Sequence, residues 1–154
     1  VNAQIGIVRA LLPPEHEWQD VLGKIQRELM VVMSHVATPS AIRDKNPNSL
    51  SEDLVSFCEQ QIDLLTGQMQ DNGFFILPGG TLISAHLQLA RTIARRAERR
   101  LWTLYRKDPL PEEIMQFVNR LSDLLFTMAR YEMFQQDHAE ERWNSFLYKR
   151  KKKE

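Results

Sequence analysis

The spacing of its proline and glycine breaks most constrains what this chain can fold into. Pro13-Pro14, Thr38-Pro39, the stretch from Gly67 to Gly73, Pro78-Gly79-Gly80 and Asp108-Pro109-Leu110-Pro111 divide it into six segments, five of them long enough for a helix. Proline has no N–H and clashes with the preceding helical turn, so none of the four proline breaks can lie inside a helix. Between the breaks, apolar residues return every three or four positions. Val21, Leu22, Ile25, Leu29, Val32, Met33 and Val36 are the clearest run. That period buries one stripe of an α-helix, whereas a half-buried strand needs strict alternation, which occurs nowhere at useful length. The breaks predict helices over about 2–12, 15–38, 51–67, 81–106 and 112–136. Ser51 with Glu52 and Asp53 reads as a capped start for the third, because a hydroxyl and early acids satisfy free amides and the helix dipole. Residues 39–50 form the longest predicted loop. Short connections between helices imply an all-α, antiparallel, up-and-down bundle of about five helices. At 154 residues it is a single domain spanning 1–154.

Charge and cysteine content narrow the function classes. Twenty basic residues balance twenty acidic ones, so no global field draws the chain to nucleic acid or to a membrane surface. No apolar run approaches the roughly 20 residues needed to cross a bilayer. Cys58 is the one cysteine, which excludes an internal disulfide and fits a reducing, cytoplasmic setting. His16, His35, His86 and His138 are too scattered for a zinc site, and no protein-bound metal is expected. Neither a GxxxxGK[ST] loop nor a GxGxxG turn is present. The apolar pattern begins at Ala3 and Ile5 with no capping residue before it, so the start reads as the interior of a longer first helix. Residues 139–154, with the basic run Tyr148 to Lys153, read as a flexible tail, with a phosphate or nucleic-acid contact as the alternative.

Three segments can carry chemistry. Arg91-Thr-Ile-Ala-Arg95-Arg96-Ala-Glu98-Arg99-Arg100 places five arginines in ten residues. At about 100° per residue, Arg91, Arg95 and Glu98 share one narrow stripe, and Ala90, Ile93, Ala97, Leu101 and Leu104 share an apolar one. Guanidinium groups one turn apart suit a polyphosphate, with Glu98 free to accept from a sugar hydroxyl. The same pattern also fits an exposed helix face laced by Glu–Arg pairs, and both readings stay open. Asn119, Ser122 and Asp123 share a face of the last helix. Asn119 and Asp123 need polar partners there, for which Arg91, Arg95 and Arg96 are the candidates. Phe74-Phe75-Ile76-Leu77-Pro78-Gly79-Gly80 is too apolar for a solvated loop. Its phenylalanines pack either in the core or against a large flat ligand.

These segments resemble the PduO-type corrinoid adenosyltransferases. That family carries F-[IV]-L-P-G-G, then R-T-x-x-R-R-A-E-R, then N-R-L-S-D-x-L-F. Here Phe75-Ile-Leu-Pro-Gly-Gly80, Arg91-Thr-Ile-Ala-Arg-Arg-Ala-Glu-Arg99 and Asn119-Arg-Leu-Ser-Asp-Leu-Leu-Phe126 follow in that order. Asn2-Ala-Gln-Ile-Gly is similar to the family's first helix. The resemblance implies a ferritin-like five-helix bundle assembling as a homotrimer with sites between subunits. Its substrates are ATP, taken with Mg²⁺, and a reduced cobalamin or other corrinoid. Co(I) attacks the 5′-carbon of ATP and triphosphate leaves. By position, Arg95, Arg96, Ala97, Glu98, Arg99 and Asn119 match ATP contacts, and Arg91, Arg95 and Glu98 the catalytic positions. Phe75 matches the aromatic residue that faces the corrinoid and displaces its lower axial ligand. Asp123 matches a structural position near the interface. A flavoprotein reductase or an adenosylcobalamin-dependent enzyme would be the protein partner. The family's T-x-T-G-D-x-G-x-T triphosphate loop and V-D-E turn do not occur in these residues, and the expectation is that they lie upstream of Val1. The competing function is a non-catalytic bundle that binds an anionic partner, or that carries or senses a corrinoid.

Overall fold

The computed structural model describes residues 1–69, 73 and 75–143. Phe74 and the basic run from Tyr148 lie outside the described residues. Among the described residues five α-helices form: α1 (Asn2–Leu11), α2 (Trp18–Ala37), α3 (Leu54–Thr66), α4 (Leu82–Tyr105) and α5 (Glu112–Gln135). A 3₁₀ helix, Ser40–Lys45, lies within the long loop between α2 and α3. The all-helical expectation holds. Among the described residues the only extended pairing is an isolated antiparallel bridge between Ile76 and Arg142.

Helix α5 is the centre of the bundle. Ile114, Phe117, Val118, Leu121, Leu124, Leu125, Met128 and Ala129 are all buried, so it is apolar around most of its circumference. Along its length α4 packs antiparallel to it, and α3 covers another side. Helix α1 contacts both α2 and α4, adding Ile5 and Val8 to the core. The buried stripe of α4 runs through Leu87, Ala90 and Ala94. Of the predicted stripe Ala90 is buried and Leu101 packs against the core, while Ile93, Ala97 and Leu104 are only half-buried. Two alanines on the inner face let the backbones of α4 and α5 approach closely. Cys58 sits wholly inside, and burial pushes its thiol up to about 12, so it serves as an inert packing group.

Two helix starts differ from the prediction. Helix α2 begins at Trp18, where the His16 ring nitrogen accepts the Trp18 N–H at 3.1 Å. Ser51 does not cap α3, which starts at Leu54. Its hydroxyl donates to the Glu28 carboxylate of α2, and Asp53 pairs with Lys24 at 3.0 Å. A buried carboxylate needs donors more than an exposed helix start does, so the hydroxyl goes to Glu28.

The 39–50 connection is fastened by Arg43, a buried cation. Its guanidinium donates to the carbonyls of His35 (3.2 Å), Thr38 (2.7 Å) and Pro109, and to Asp108 (2.7 Å). One side chain thereby ties the end of α2 to the α4–α5 turn. Hydrogen bonds from Ser40 and Arg43 hold the Asp108 carboxyl below the usual carboxylate range. Arg43→Met should lower the melting temperature by roughly 5–10 °C. Losing a hydrogen-bonded buried side chain costs about 2–3 kcal/mol net, and about 1 kcal/mol moves the midpoint of a domain this size by about 2–4 °C. Because the Asp108 value falls on folding, its share is present above the ordinary carboxylate value of about 3.9. That share is lost as pH drops through the folded value. The gap between the two melting temperatures should therefore narrow, without closing, as pH is lowered from about 5 toward 2, because the bonds to the carbonyls do not titrate.

Candidate active site

The site is set by the register of α4 against α5. Asn119 Nδ2 donates to Glu98 Oε1 at 2.9 Å. Two turns along the same edge, the Arg91 guanidinium lies over the Phe126 ring, 5.2 Å from its centroid. Arg130 approaches the same ring at 6.0 Å. Asn119, Phe126 and Arg130 are seven and four residues apart, so they line one edge of α5 opposite the arginine face of α4.

The expected partners of the α5 polar groups are corrected. Asn119 finds Glu98 rather than an arginine. Asp123 accepts from Arg120 at 3.0 Å on its own helix, and Arg120 lies 3.2 Å from Glu59 of α3. Asp123 therefore shares an α3–α5 ion cluster instead of pairing with Arg91, Arg95 or Arg96. An i,i+3 partner is reached without crossing between helices, which explains the choice.

The arginines divide into two kinds. Arg91 is half-buried and donates to Gln88 at 3.0 Å. Burial, and secondarily the charge of Arg95, hold its guanidinium below the ordinary arginine value. Arg95, Arg96, Arg99 and Arg100 are exposed, and none has a side-chain hydrogen bond or ion pair among the described residues. A face laced by Glu–Arg pairs is therefore not what forms. Glu98 spends one oxygen on Asn119, and the four cations remain toward solvent on the same stretch of α4, Arg95 nearest to Glu98 round the helix and Arg96 and Arg100 on its far side. Ala97 is half-buried beside it. Among the described residues no group of three or more His, Cys, Asp or Glu side chains can hold a metal ion.

Phe75 lies near the other end of α4, before the Thr81 cap, whose side chain accepts the Ser84 N–H at 3.1 Å. Its ring is 71% exposed. The backbone here pairs with residues 141–143: Leu77 N–H donates to Glu141 O and Trp143 N–H to Phe75 O, both at 2.8 Å. The flexible tail expected from 139 thus begins with residues that pair with the Phe75 loop, and the rest of that tail, 144–154, lies outside the described residues. Gly80, at φ +85°, packs on Met133, and a Cβ there would collide with the Met133 thioether and crowd His138. A cleft of about 700 Å³ borders the pairing segment, lined by Gln68, Met69, Arg130, Met133 and His138. Sequence reasoning missed Arg130 and Glu140, and passed over Phe126 as part of a motif. The available signal was the seven- and eleven-residue spacing of Phe126 and Arg130 from Asn119.

Residues 1–132 match the family described as cobalamin adenosyltransferase. A corrinoid adenosyltransferase of Bacillus subtilis is 35% identical over 133 residues, 84% of this chain and 67% of that protein. A human corrinoid adenosyltransferase is 35% identical over 144 residues, covering 91% of this chain and 58% of its own. Among solved structures, a PduO-type ATP:corrinoid adenosyltransferase variant from Lactobacillus reuteri, complexed with cobalamin and ATP, superposes with a TM-score of 0.83 at 30% identity. That match covers 94% of this chain and 80% of the other. The chain belongs to the cobalamin adenosyltransferase family. The PduO-type resemblance and the enzyme class drawn from it, an ATP:corrinoid adenosyltransferase, are borne out.

Exposed, unpaired arginines contribute little to folding. Arg95→Ala, Arg96→Ala and Arg99→Ala should each move the melting temperature by less than about 2 °C. Gly80→Ala should destabilise by clearly more than 1 kcal/mol, since strain at positive φ and overpacking on Met133 add, each costing about 1–3 kcal/mol. Differential scanning calorimetry of the four variants decides both.

Proposed function

We propose that the arginine face of α4 holds the triphosphate of ATP and that Phe75, on the loop before α4, faces the corrinoid. The reaction forms a cobalt–carbon bond between Co(I) and C5′ of ATP. The C5′–oxygen bond breaks, and its electron pair leaves on the triphosphate. Cobalt is formally oxidised by two electrons, and both come from the Co(I) nucleophile. The protein therefore supplies orientation and charge stabilisation rather than a nucleophile of its own.

The observation that carries this reading is the Glu98–Asn119 pair with the unpaired guanidinium groups of Arg95 and Arg99 on the neighbouring positions of α4, and that of Arg96 farther round the helix. A leaving triphosphate gathers negative charge at its bridging oxygen, and planar donors aimed there stabilise the transition state more than the ground state. Arg91, already fixed by Gln88 and Phe126, is a preorganised cation at the edge of that field. Glu98 keeps one carboxylate oxygen for a ribose hydroxyl, and Asn119 keeps its carbonyl for a nucleoside donor. Ala97 leaves backbone within reach at the same turn. Mg²⁺ would arrive on the nucleotide, since the described residues form no site for it. Asp123, through Arg120, steadies the α3–α5 side.

Assembly as a homotrimer with sites between subunits fits the apolar groups left outside, including Met30, Met33, Leu82 and Leu89. No helix among the described residues is long and apolar enough to cross a membrane. The cytoplasm is the setting proposed, with a flavoprotein reductase supplying electrons and an adenosylcobalamin-dependent enzyme taking the product. Light scattering should give a three-chain mass.

With ATP, Mg²⁺ and chemically reduced cobalamin, the absorbance change of adenosylcobalamin formation is expected. Its absence with fully reduced corrinoid would overturn the reading, and corrinoid binding without turnover would leave a carrier or sensor. Arg95→Ala and Glu98→Ala should each lower kcat/KM by roughly 10²–10³-fold, with the far-ultraviolet circular dichroism unchanged.

A further inference from the structure

The Phe75 loop has a mechanical problem that the fold solves through a segment outside the helices. The ring is largely exposed, so side-chain burial does not hold it. On its C-terminal side the nearest fixed point is at Gly80 and Thr81, where Gly80 packs on Met133 and the Thr81 N–H meets the Met133 sulfur at 3.4 Å. Five residues of extended chain reach roughly 16 Å, and Gly79 and Gly80 are both at positive φ.

The second anchor is the stretch from Glu140 to Trp143. It meets the loop through the Leu77–Glu141 and Trp143–Phe75 hydrogen bonds that flank the Ile76–Arg142 bridge. A pairing this short is marginal in water unless something holds one side of it. Glu140 supplies one such hold. Arg130 Nε donates to Glu140 Oε1 at 2.8 Å and Arg130 Nη2 to Oε2 at 3.1 Å. This two-point pair is mostly shielded, with the side chains 20% and 15% exposed. Arg130 stands between the buried residues Ala129 and Tyr131 of α5, so its backbone is fixed by the core. The same guanidinium approaches Phe126, whose ring also carries Arg91.

We propose that Glu140 is a positioning residue for the adenosyltransferase reaction: its ion pair with Arg130 clamps residues 140–143 to α5, and these hold the Phe75 backbone in place against the corrinoid. The inference rests on the proposed role of Phe75. A bidentate pair suits this task because it fixes an angle as well as a distance. Losing it loosens the ladder without touching the arginines assigned to ATP.

The test compares wild type with Glu140→Ala and with Trp143→Pro, which deletes the N–H that Phe75 O accepts. Two assays are run. In one, reduced flavin gives one electron to bound Co(II) before transfer; in the other, Co(I) is prepared beforehand with titanium(III) citrate. A misplaced Phe75 should leave the lower axial ligand on cobalt, making Co(II) harder to reduce. Both variants are expected to lose roughly tenfold in the flavin-coupled rate, to stay within about twofold with Co(I), and to keep the KM for ATP. The absorption spectrum of cob(II)alamin bound with ATP should shift toward the ligand-on form. Amide exchange at Leu77 and Trp143 should quicken in Glu140→Ala while α5 stays protected. Unchanged exchange at Leu77 would overturn the clamp, whatever the activity. Faster exchange with an unaltered ratio of the two rates and an unaltered Co(II) spectrum would overturn its role in positioning. A wild type that makes no adenosylcobalamin even from Co(I) would instead remove the adenosyltransferase reading, with the exchange result still judging the clamp.

Discussion

The antiparallel contact of α4 with α5 is the constraint on which the rest depends. Helix α5 is apolar around most of its surface, so it must be enclosed, and Ala90 and Ala94 give α4 a smooth inner face that encloses it closely. The register of that contact sets Glu98 opposite Asn119 and Arg91 opposite Phe126. A slip of one turn, about 5.4 Å, would leave the core nearly as apolar but would separate both pairs. Packing fixes the helices, and the polar edge selects the register.

The same molecule treats its arginines in two opposite ways. Arg43 is buried, ends on three carbonyls and Asp108, and works as a fastener between loops. Arg95, Arg96 and Arg99 are exposed and, among the described residues, without hydrogen-bonded or ionic partners. Their mutual repulsion is softened by water and salt, so the helix tolerates it. A polyanion entering this face would remove that repulsion while forming charge-assisted bonds. Zero net charge over the whole chain conceals this local field.

Between the arginine face and the Phe75 loop runs a continuous set of contacts, from Arg91 through the Phe126 ring and Arg130 to Glu140. Its members sit on α4, α5 and the segment after α5. The nucleotide end and the corrinoid end proposed for the site thus share one rigid support, the buried body of α5.

Much of this was legible in the residues alone. Proline breaks and a three-to-four spacing determined five helices and their order, because both act within a few residues of chain. The arginine run, the Asn119 face and the FILPGG turn were visible too, and in that order they pointed to the family. Partners were not legible where the choice lay between near and distant groups. Ser51 went to Glu28 rather than to its own helix end, and Asp123 to Arg120 rather than to α4. Residues 141–143 joined the Phe75 loop, and Glu140 joined Arg130, instead of forming a flexible tail. Sequence spacing determines which residues share a face. Only tertiary structure decided what each face meets, because that depends on how α4, α5 and the closing segment slide and pack, and such long-range register leaves no periodic mark in the chain.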